Sequence, residues 1–320
     1  MIDRGLEMTE SGTETAAERQ AQANAESGRL MRRASYASVS VALFLIVLKF
    51  AAWIATDSVS MLSTLIDSLL DLAASLLSLF AIRQSLMPAD REHRFGHGKA
   101  EPLGALGQSA FIAGSSVLLL FEATQRCLDP QNVPTAGAGI VVMIISILAT
   151  LALIAFQRMV IARTGSVAVS ADSTHYLSDL LVNGGVIAAL AANLYLGWLI
   201  ADPLIGTAIA LFILATAWRI VRRALDMLMD RELGDSERQR IRAMVTSHPQ
   251  VRAIHELKTR AAGRTAFIQF HLEMDPEITL LQAHQIADEV EDALLEAFPG
   301  AEILIHEDPA GVVERRRRFA

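Results

Sequence analysis

Three long stretches of the chain contain no lysine or arginine: Leu103–Gln125, Leu128–Gln157 and Thr164–Trp218. Over the whole 320 residues, 52% are hydrophobic and only 20% are charged. A soluble domain has little use for so much apolar sequence, so the pattern is typical of an integral membrane protein. The net charge of −7 argues against a nucleic acid as partner.

The apolar sequence divides into segments long enough to cross a bilayer. About 20 mostly apolar residues span the hydrocarbon core as a helix. Six segments meet this condition, at about residues 34–55, 58–82, 103–124, 137–157, 167–196 and 202–221. The sequence therefore predicts an α-helical membrane protein with a six-helix bundle in residues 29–229. A polar tail, residues 1–28, precedes the bundle, and we expect it to be disordered or loosely helical.

The basic residues near the ends of these segments fall almost entirely on one side of the predicted membrane. Twelve of them share that side: Arg29, Arg32, Arg33, Arg83, Arg91, Arg94, Lys99, Arg158, Arg163, Arg219, Arg222 and Arg223. The opposite side has only Arg126. Because lysine and arginine concentrate in cytoplasmic loops, we expect a multi-pass protein of the plasma membrane with both termini in the cytoplasm.

The composition changes after the sixth segment, since Asp230–Asp308 carries 16 acidic and 8 basic side chains. Periodicity predicts helices and strands in the order αββαβ, at Ser236–His248, Val251–Arg260, Arg264–Met274, Leu280–Phe298 and Glu302–Asp308. We therefore expect a small cytosolic α+β domain with an antiparallel sheet over residues 230–309. In the basic tail of residues 310–320, the run Arg315–Arg318 is interpreted as a solvated end or a contact with lipid headgroups.

Two of the six segments carry ionisable residues on one helical face. Asp67 and Asp71 lie one turn apart in the second segment, and His175 and Asp179 lie one turn apart in the fifth. Counted from opposite faces of the membrane, each pair lies roughly 12–13 Å deep in a core about 30 Å thick. The sequence therefore predicts that three carboxylates and one imidazole converge inside the membrane.

Such a group of side chains needs a positive partner. An ionised residue at mid-membrane costs about 2.5–3.5 kcal/mol, and facing carboxylates repel unless a cation or protons neutralise them. One nitrogen and three oxygens suit four-coordinate Zn²⁺, whereas Ca²⁺ and Mg²⁺ need no imidazole. Cu(I) prefers sulfur, and Cys127 is the single cysteine. Polar helix packing and a pure proton relay are the alternatives.

The same ligands suggest how transport is driven. Metal ligands must be deprotonated, so binding of the ion releases protons and its departure takes them up. Protons that move inward also offset the electrical work of expelling a dication, at about 2.3 kcal/mol per charge per 100 mV. The chemistry therefore indicates a transporter that exports a divalent transition metal in exchange for protons.

Four short motifs resemble those of a known family: DSLLD at 67–71, HYLSD at 175–179, PADREHRFGHGKAEPL at 88–103 and IHEDP at 305–309. They are similar to the motifs of the cation diffusion facilitators, and most similar to the bacterial zinc and ferrous-iron efflux proteins of the YiiP/FieF type. The resemblance covers about residues 29–310. It implies a homodimer in the bacterial inner membrane, proton antiport, six transmembrane helices and a cytosolic domain similar to copper chaperones.

The resemblance also implies site residues, beginning with Asp67, Asp71, His175 and Asp179 as the transport site. A second, cytoplasm-facing site follows the second helix: Asp90, His93 and His97. A binuclear zinc site lies in the cytosolic domain: His255, His271, His284, His306 and Asp308. Strand alternation supports part of that set, because His306 and Asp308 share one face. Lys99 and Asp230 correspond to a salt bridge of the dimer.

One other class of function fits part of the sequence, namely a membrane-anchored metal sensor without transport. It would not need Asp67 and Asp179 at mid-depth. An enzyme is not supported, since the chain has no nucleophile motif, phosphate loop or zincin signature. The sequence leaves the cargo open among zinc, cadmium, iron(II), cobalt and manganese, and it leaves the proton stoichiometry open.

Overall fold

The computed structural model describes residues 6–56, 59–128, 139–196 and 200–312. The chain forms two compact units, one of residues 26–226 and one that includes residues 227–312. Six long helices come first: α1 (Leu6–Thr56), α2 (Val59–Ser85), α3 (Ala100–Leu128), α4 (Gly139–Thr164), α5 (Val167–Leu196) and α6 (Ala201–Leu228). The polar N-terminal tail is helical from Leu6 onward, as part of α1.

Five of the six long helices are long and apolar enough, within the described residues, to cross a membrane. Their spans are Ala25–Ala55, Thr64–Ser85, Ala100–Gln125, Val141–Thr164 and Pro203–Leu228. α5 does not meet this condition among the described residues, and its first half carries Asp172, His175 and Asp179. The six predicted segments are thus six helices, of which five qualify as spans by length and composition.

Packing places α5 in the interior of the membrane unit. α5 lies against α2, α3 and α4, and α2 also packs against α3. At the α2–α3 contact, a Cβ on Gly104 would lie 2.1 Å from the Cβ of Ala81. Small residues of this kind let helices approach closely in lipid, where burial of apolar side chains gives little preference for protein over lipid. The polar half of α5 is therefore surrounded by helices and not by hydrocarbon.

The second unit contains the smaller elements in the predicted order αββαβ. They are α7 (Asp235–Thr246), β1 (Val251–Ala262), β2 (Thr265–Met274), α8 (Leu280–Ala297) and β3 (Glu302–Pro309). Thr279 begins α8 with a capping box, since its side chain accepts from the Gln282 amide and Gln282 reaches back to the Thr279 N–H. The predicted basic run Arg315–Arg318 lies outside the described residues.

The direction of β3 corrects the expectation of an antiparallel sheet. The strand order is β1-β2-β3, with β1 and β2 antiparallel but β2 and β3 parallel. α8 is the crossover that returns the chain to the end of the sheet where β2 began, as parallel pairing requires. One face of the sheet buries Ile268, Phe270 and Leu272 against Ile286 and Val290 of α8, which leaves the alternate residues of each strand on the opposite face.

Candidate metal centres

Three of the four predicted intramembrane ligands lie together where α2 faces α5. Nε2 of His175 is 3.1 Å from Oδ1 of Asp71 and 4.0 Å from Oδ2 of Asp179. One ligand atom from each residue falls within 4.8 Å of the others. Oδ2 of Asp179 is buried and accepts no hydrogen bond within the described structure. A buried carboxylate oxygen without a donor is an acceptor that a cation would satisfy.

Asp67 stands apart from this group. It lies one turn before Asp71 on α2, about 6 Å along the helix axis at 1.5 Å per residue. Its side chain is exposed, and among the described residues it is not part of the cluster of ligand atoms. The structure therefore brings together an imidazole and two carboxylates, and Asp67 remains a predicted fourth ligand.

A small cavity of about 40 Å³ adjoins the cluster, with room for a few water molecules. Asp71, Tyr176 and Asp179 line it, together with Asn183 and Lys49. Lys49 belongs to none of the sequence motifs. A signal was available, because an ionisable side chain within a membrane span is itself a candidate for function.

A second polar junction surrounds Asp172 of α5, to which the sequence motifs assign no role. Its side chain is buried and accepts hydrogen bonds from Ser38 of α1, from Gln108 Nε2 of α3 at 2.9 Å and from Gln157 Nε2 of α4 at 2.6 Å. Tyr176 connects this junction to α2, since its hydroxyl lies 2.8 Å from Ser75 Oγ and 3.2 Å from the Ser38 carbonyl. The junction therefore joins α5 to four other helices.

Glu101 of α3, also without a role from sequence, holds the beginning of α5. Its Oε1 accepts hydrogen bonds from Ser166 Oγ at 2.6 Å and from the Val167 N–H at 2.8 Å. A carboxylate at the first turn of a helix satisfies free N–H groups and complements the positive end of the helix dipole. Glu101 thus fixes the start of the helix that carries His175 and Asp179.

The loop between α2 and α3 brings its three predicted ligands together. Asp90 Oδ1 is 3.5 Å from His93 Nδ1, and Asp90 Oδ2 is 3.4 Å from His97 Nε2. The His93 backbone N–H donates to Asp90 Oδ1 at 2.6 Å and is the main cause that lowers the pKa of this carboxyl below its usual value. His97 Nδ1 lies 3.2 Å from the Pro88 carbonyl, which leaves Nε2 directed at the shared position.

In the second unit, the face of the sheet opposite α8 carries a row of histidines. His255, His271 and His306 occupy paired positions on β1, β2 and β3. Asp308 Oδ2 lies 2.8 Å from His271 Nδ1 and 3.3 Å from His255 Nε2, and Asp308 Oδ1 lies 3.2 Å from His306 Nε2. These donors are the imidazole and carboxylate ligands that zinc prefers, so the residues present fit a bound zinc ion.

Two glutamates beside this row were missed by sequence reasoning. Glu273 Oε1 lies 2.9 Å from His255 Nδ1, and Glu256 Oε2 lies 3.6 Å from His271 Nε2. Glu256 has φ 48, in the left-handed region, where the β1–β2 register shifts between His255 and Lys258. A β-bulge redirects a side chain in this way, and a lone sequence gives no sign of it.

Two residues that the family resemblance assigns to shared contacts have other partners within this chain. His284 is on α8, where its Nε2 is 3.6 Å from Asp288 Oδ2, and it does not join the histidine row of the same chain in the described structure. Asp230 pairs with Arg260 at 3.2 Å within its own unit. The predicted dimer salt bridge between Lys99 and Asp230 needs a second chain, and it stays a prediction.

Comparison with known proteins covers both units. Residues 35–229 match the cation efflux transmembrane domain, and residues 233–310 match the cation efflux protein cytoplasmic domain. The cation-efflux pump FieF of Klebsiella pneumoniae subsp. pneumoniae is 48% identical over 290 residues, 91% of this chain and 96% of that protein. FieF of Escherichia fergusonii is 47% identical over 297 residues, 92% of this chain and 99% of that protein. Among solved structures, CzrB in its zinc form is 38% identical with a TM-score of 0.25, and the match covers 28% of this chain and 99% of that one.

Proposed function

This chain belongs to the cation efflux family, and from that premise we propose that it exports a divalent transition metal, most readily zinc, in exchange for protons. Family membership confirms the resemblance seen in the sequence motifs. It makes the chain a multi-pass membrane transporter for metal cations and not an enzyme. The identity of the cargo and the coupling to protons are the further steps that we argue from the site.

The observation that carries the proposal is the cluster of His175, Asp71 and Asp179 within the membrane unit. An imidazole nitrogen and carboxylate oxygens within 4.8 Å of one another can bind one ion. The mixture of nitrogen and oxygen donors favours zinc or cadmium over calcium and magnesium, which prefer oxygen alone. The buried oxygen Oδ2 of Asp179, which accepts no hydrogen bond from the described residues, supports the same interpretation, because a cation would satisfy it.

Proton exchange follows from the chemistry of these ligands. Zinc binds the neutral imidazole and the ionised carboxylates, so it competes with protons for the same atoms. When the ion leaves on the outer side, the ligands are free to take up protons, which neutralise charge that would otherwise be costly within the membrane. Release of those protons to the cytoplasm then prepares the ligands for the next ion.

On this proposal, the two other groups of ligands bind the same metal ion that the transport site carries. Asp90, His93 and His97 form an open group through which ions from the cytoplasm would pass, with both termini on that side. The row formed by His255, His271, His306 and Asp308 would hold zinc as a structural ion. A match to the cytoplasmic domain of the family supports a homodimer joined through this unit.

The decisive experiment measures flux and pH together. The full-length protein is reconstituted in vesicles that contain a zinc indicator and a pH indicator, and an imposed pH gradient drives transport. We expect zinc movement with opposite proton movement in the wild type, and a loss of roughly 100-fold or more in D71A, because a ligand contributes at least as much as its supporting residues do. E122Q, which removes an exposed carboxylate of α3, is the matched control.

The outcomes separate the alternatives. Zinc binding without flux would show a sensor and overturn the transport proposal. Zinc flux without a pH change would contradict the proton coupling and leave the proposal of metal export standing. Competition among zinc, iron(II) and manganese at equal concentrations would identify the cargo, and a preference for manganese would contradict the argument from the imidazole ligand.

A further inference from the structure

Lys49 is a lysine within an apolar span, and its side chain turns towards the protein. A long basic side chain near a helix end usually extends to the membrane surface, where its charge is hydrated. Here Nζ instead donates to Ser68 Oγ at 2.7 Å and to the Thr64 carbonyl at 3.1 Å. Both acceptors belong to α2, and Ser68 lies three residues before Asp71. The ammonium is therefore fixed beside the helix that supplies part of the metal cluster.

The cavity beside the metal cluster connects Lys49 with two of the ligands. Lys49, Asp71 and Asp179 all line this space of about 40 Å³. Lys49 is the only basic residue among the described residues that form its wall. The uncharged groups that hold Nζ, a hydroxyl and a carbonyl, leave its charge to act on the carboxylates across the cavity. The arrangement thus places one fixed positive charge next to a cluster with two negative ones.

From this placement we infer that Lys49 is the internal counter-charge of the transport site, which balances Asp71 and Asp179 when no metal is bound and weakens the hold on the metal when it is. The inference rests on the proposed function, because it takes the cluster as the cargo site. In a poorly solvated interior, charges that line the same small cavity interact far more strongly than they would in water. Lys49 therefore lowers the cost of the empty cluster and repels a dication that occupies it.

The consequence for transport is a limit on affinity. A carrier must release its ion as well as bind it, and a site of buried carboxylates without a counter-charge would bind a dication tightly and release it slowly. A positive charge that stays in place raises the free energy of the loaded state relative to the empty one. Lys49 is thus a residue that tunes affinity and turnover through charge and does not itself bind the metal.

The test depends on the sign of the change in affinity. Zinc binding to the full-length protein in lipid nanodiscs is measured by calorimetry at pH 8, for the wild type and each variant in the same buffer. The part of the isotherm that disappears in D71A defines the transport site. For that part we expect K49M to bind at least about tenfold more tightly than the wild type, which corresponds to 1.4 kcal/mol. K49R keeps the charge and should remain within about threefold of the wild type on the same scale.

Transport in vesicles gives a second readout. K49M should show a lower KM for zinc and a lower kcat, because binding improves while release slows. R219M, which removes an exposed positive charge from α6, is the matched control and should change neither constant. K49Q provides a second neutral variant if K49M does not give a folded protein.

The outcomes distinguish this inference from the proposed function. Weaker or unchanged zinc affinity in both neutral variants would overturn the inference, since a lysine that only supports the fold would lower affinity when it is lost. If no part of the wild-type zinc-binding isotherm depended on Asp71, the proposed function would be overturned as well. Tighter binding in K49M with K49R unchanged would establish the counter-charge.

Discussion

Replacing Asp172 by asparagine should leave the membrane unit nearly as stable as the wild type, whereas replacing it by alanine should destabilise it strongly. Asp172 is 1% exposed, and its carboxylate accepts from the hydroxyl of Ser38 and from the side-chain amides of Gln108 and Gln157. All three donors are uncharged. The two variants therefore separate the need for an acceptor at this position from the need for a negative charge.

The magnitudes follow from the partners that each donor retains. In D172A, Ser38 Oγ still has the Ala34 carbonyl at 3.1 Å and Gln157 Nε2 still has Ser38 Oγ at 2.9 Å, but Gln108 Nε2 loses the acceptor at 2.9 Å. A buried donor left without a partner costs about 1–3 kcal/mol. With the vacated space included, we expect a loss of about 2–4 kcal/mol.

Asparagine changes less because its amide can both accept and donate. Oδ1 replaces one carboxylate oxygen as acceptor. Oε1 of Gln108 and Oε1 of Gln157 are buried without a hydrogen-bond partner in the described structure, so rotation of one of these side-chain amides would present an acceptor to Nδ2 of the new residue. The variant also removes the desolvation cost of a buried charge. We expect a change within about 1 kcal/mol of the wild type.

Unfolding in mixed micelles, with the fraction of denaturing detergent as the variable, measures both differences. Circular dichroism and tryptophan fluorescence should give the same midpoint, which justifies a two-state free energy of unfolding. If D172N lost as much stability as D172A, the ionised carboxylate itself would be required and the argument from unpartnered amide oxygens would be refuted. If D172A lost less than about 1 kcal/mol, the junction would not be the constraint that its buried hydrogen bonds indicate.

Two further variant pairs test the other sites. E101A should reduce the unfolding free energy by about 1–2 kcal/mol, because the Val167 N–H at the start of α5 loses its cap. E101Q keeps an acceptor at this position and should lose less than half as much. Equal losses of E101A and E101Q in the same micelle assay would contradict this. In the cytosolic unit, H271A should weaken zinc binding by roughly tenfold to 100-fold because His271 contacts Asp308, whereas H284A should remain within about threefold. Calorimetry with the full chain decides the second pair, and a matched loss in H284A would show that a second chain supplies this histidine.

The polar faces of two helices could be predicted from sequence because an α-helix repeats every 3.6 residues. Residues four apart necessarily share a face, so the placement of Asp71 on α2 and of His175 with Asp179 on α5 required only their spacing. What spacing cannot supply is the rotation of each helix against its neighbour. Asp67 shares the stripe with Asp71, yet its side chain is exposed and outside the cluster.

The partners of long side chains and the direction of β3 could not be predicted from the sequence, for a related reason. Lys49 and Glu101 reach partners on other helices, and nothing local determines where a flexible side chain points. The parallel pairing of β3 depends on the route of the chain through α8, while alternation alone is the same in either direction. His306 and Asp308 share a face because they are two residues apart, but His284 lies on a helix whose position alternation does not specify.

The buried polar contacts explain why α5 can carry charged ligands within a membrane unit. Glu101 caps its start, Asp172 joins it to neighbouring helices one to two turns later, and His175 meets Asp71 of α2 one turn beyond. Each contact satisfies groups that would be expensive to bury alone, and together the partners lie on α1, α2, α3 and α4. A shift of α5 as a whole would break these contacts together. Lys49 and Asp71, by contrast, approach the metal cluster from α1 and α2, and these two helices contribute only part of the hydrogen-bond network. The ligands of α5 are therefore the fixed part of the metal cluster, and its geometry is most readily altered from the side of α1 and α2.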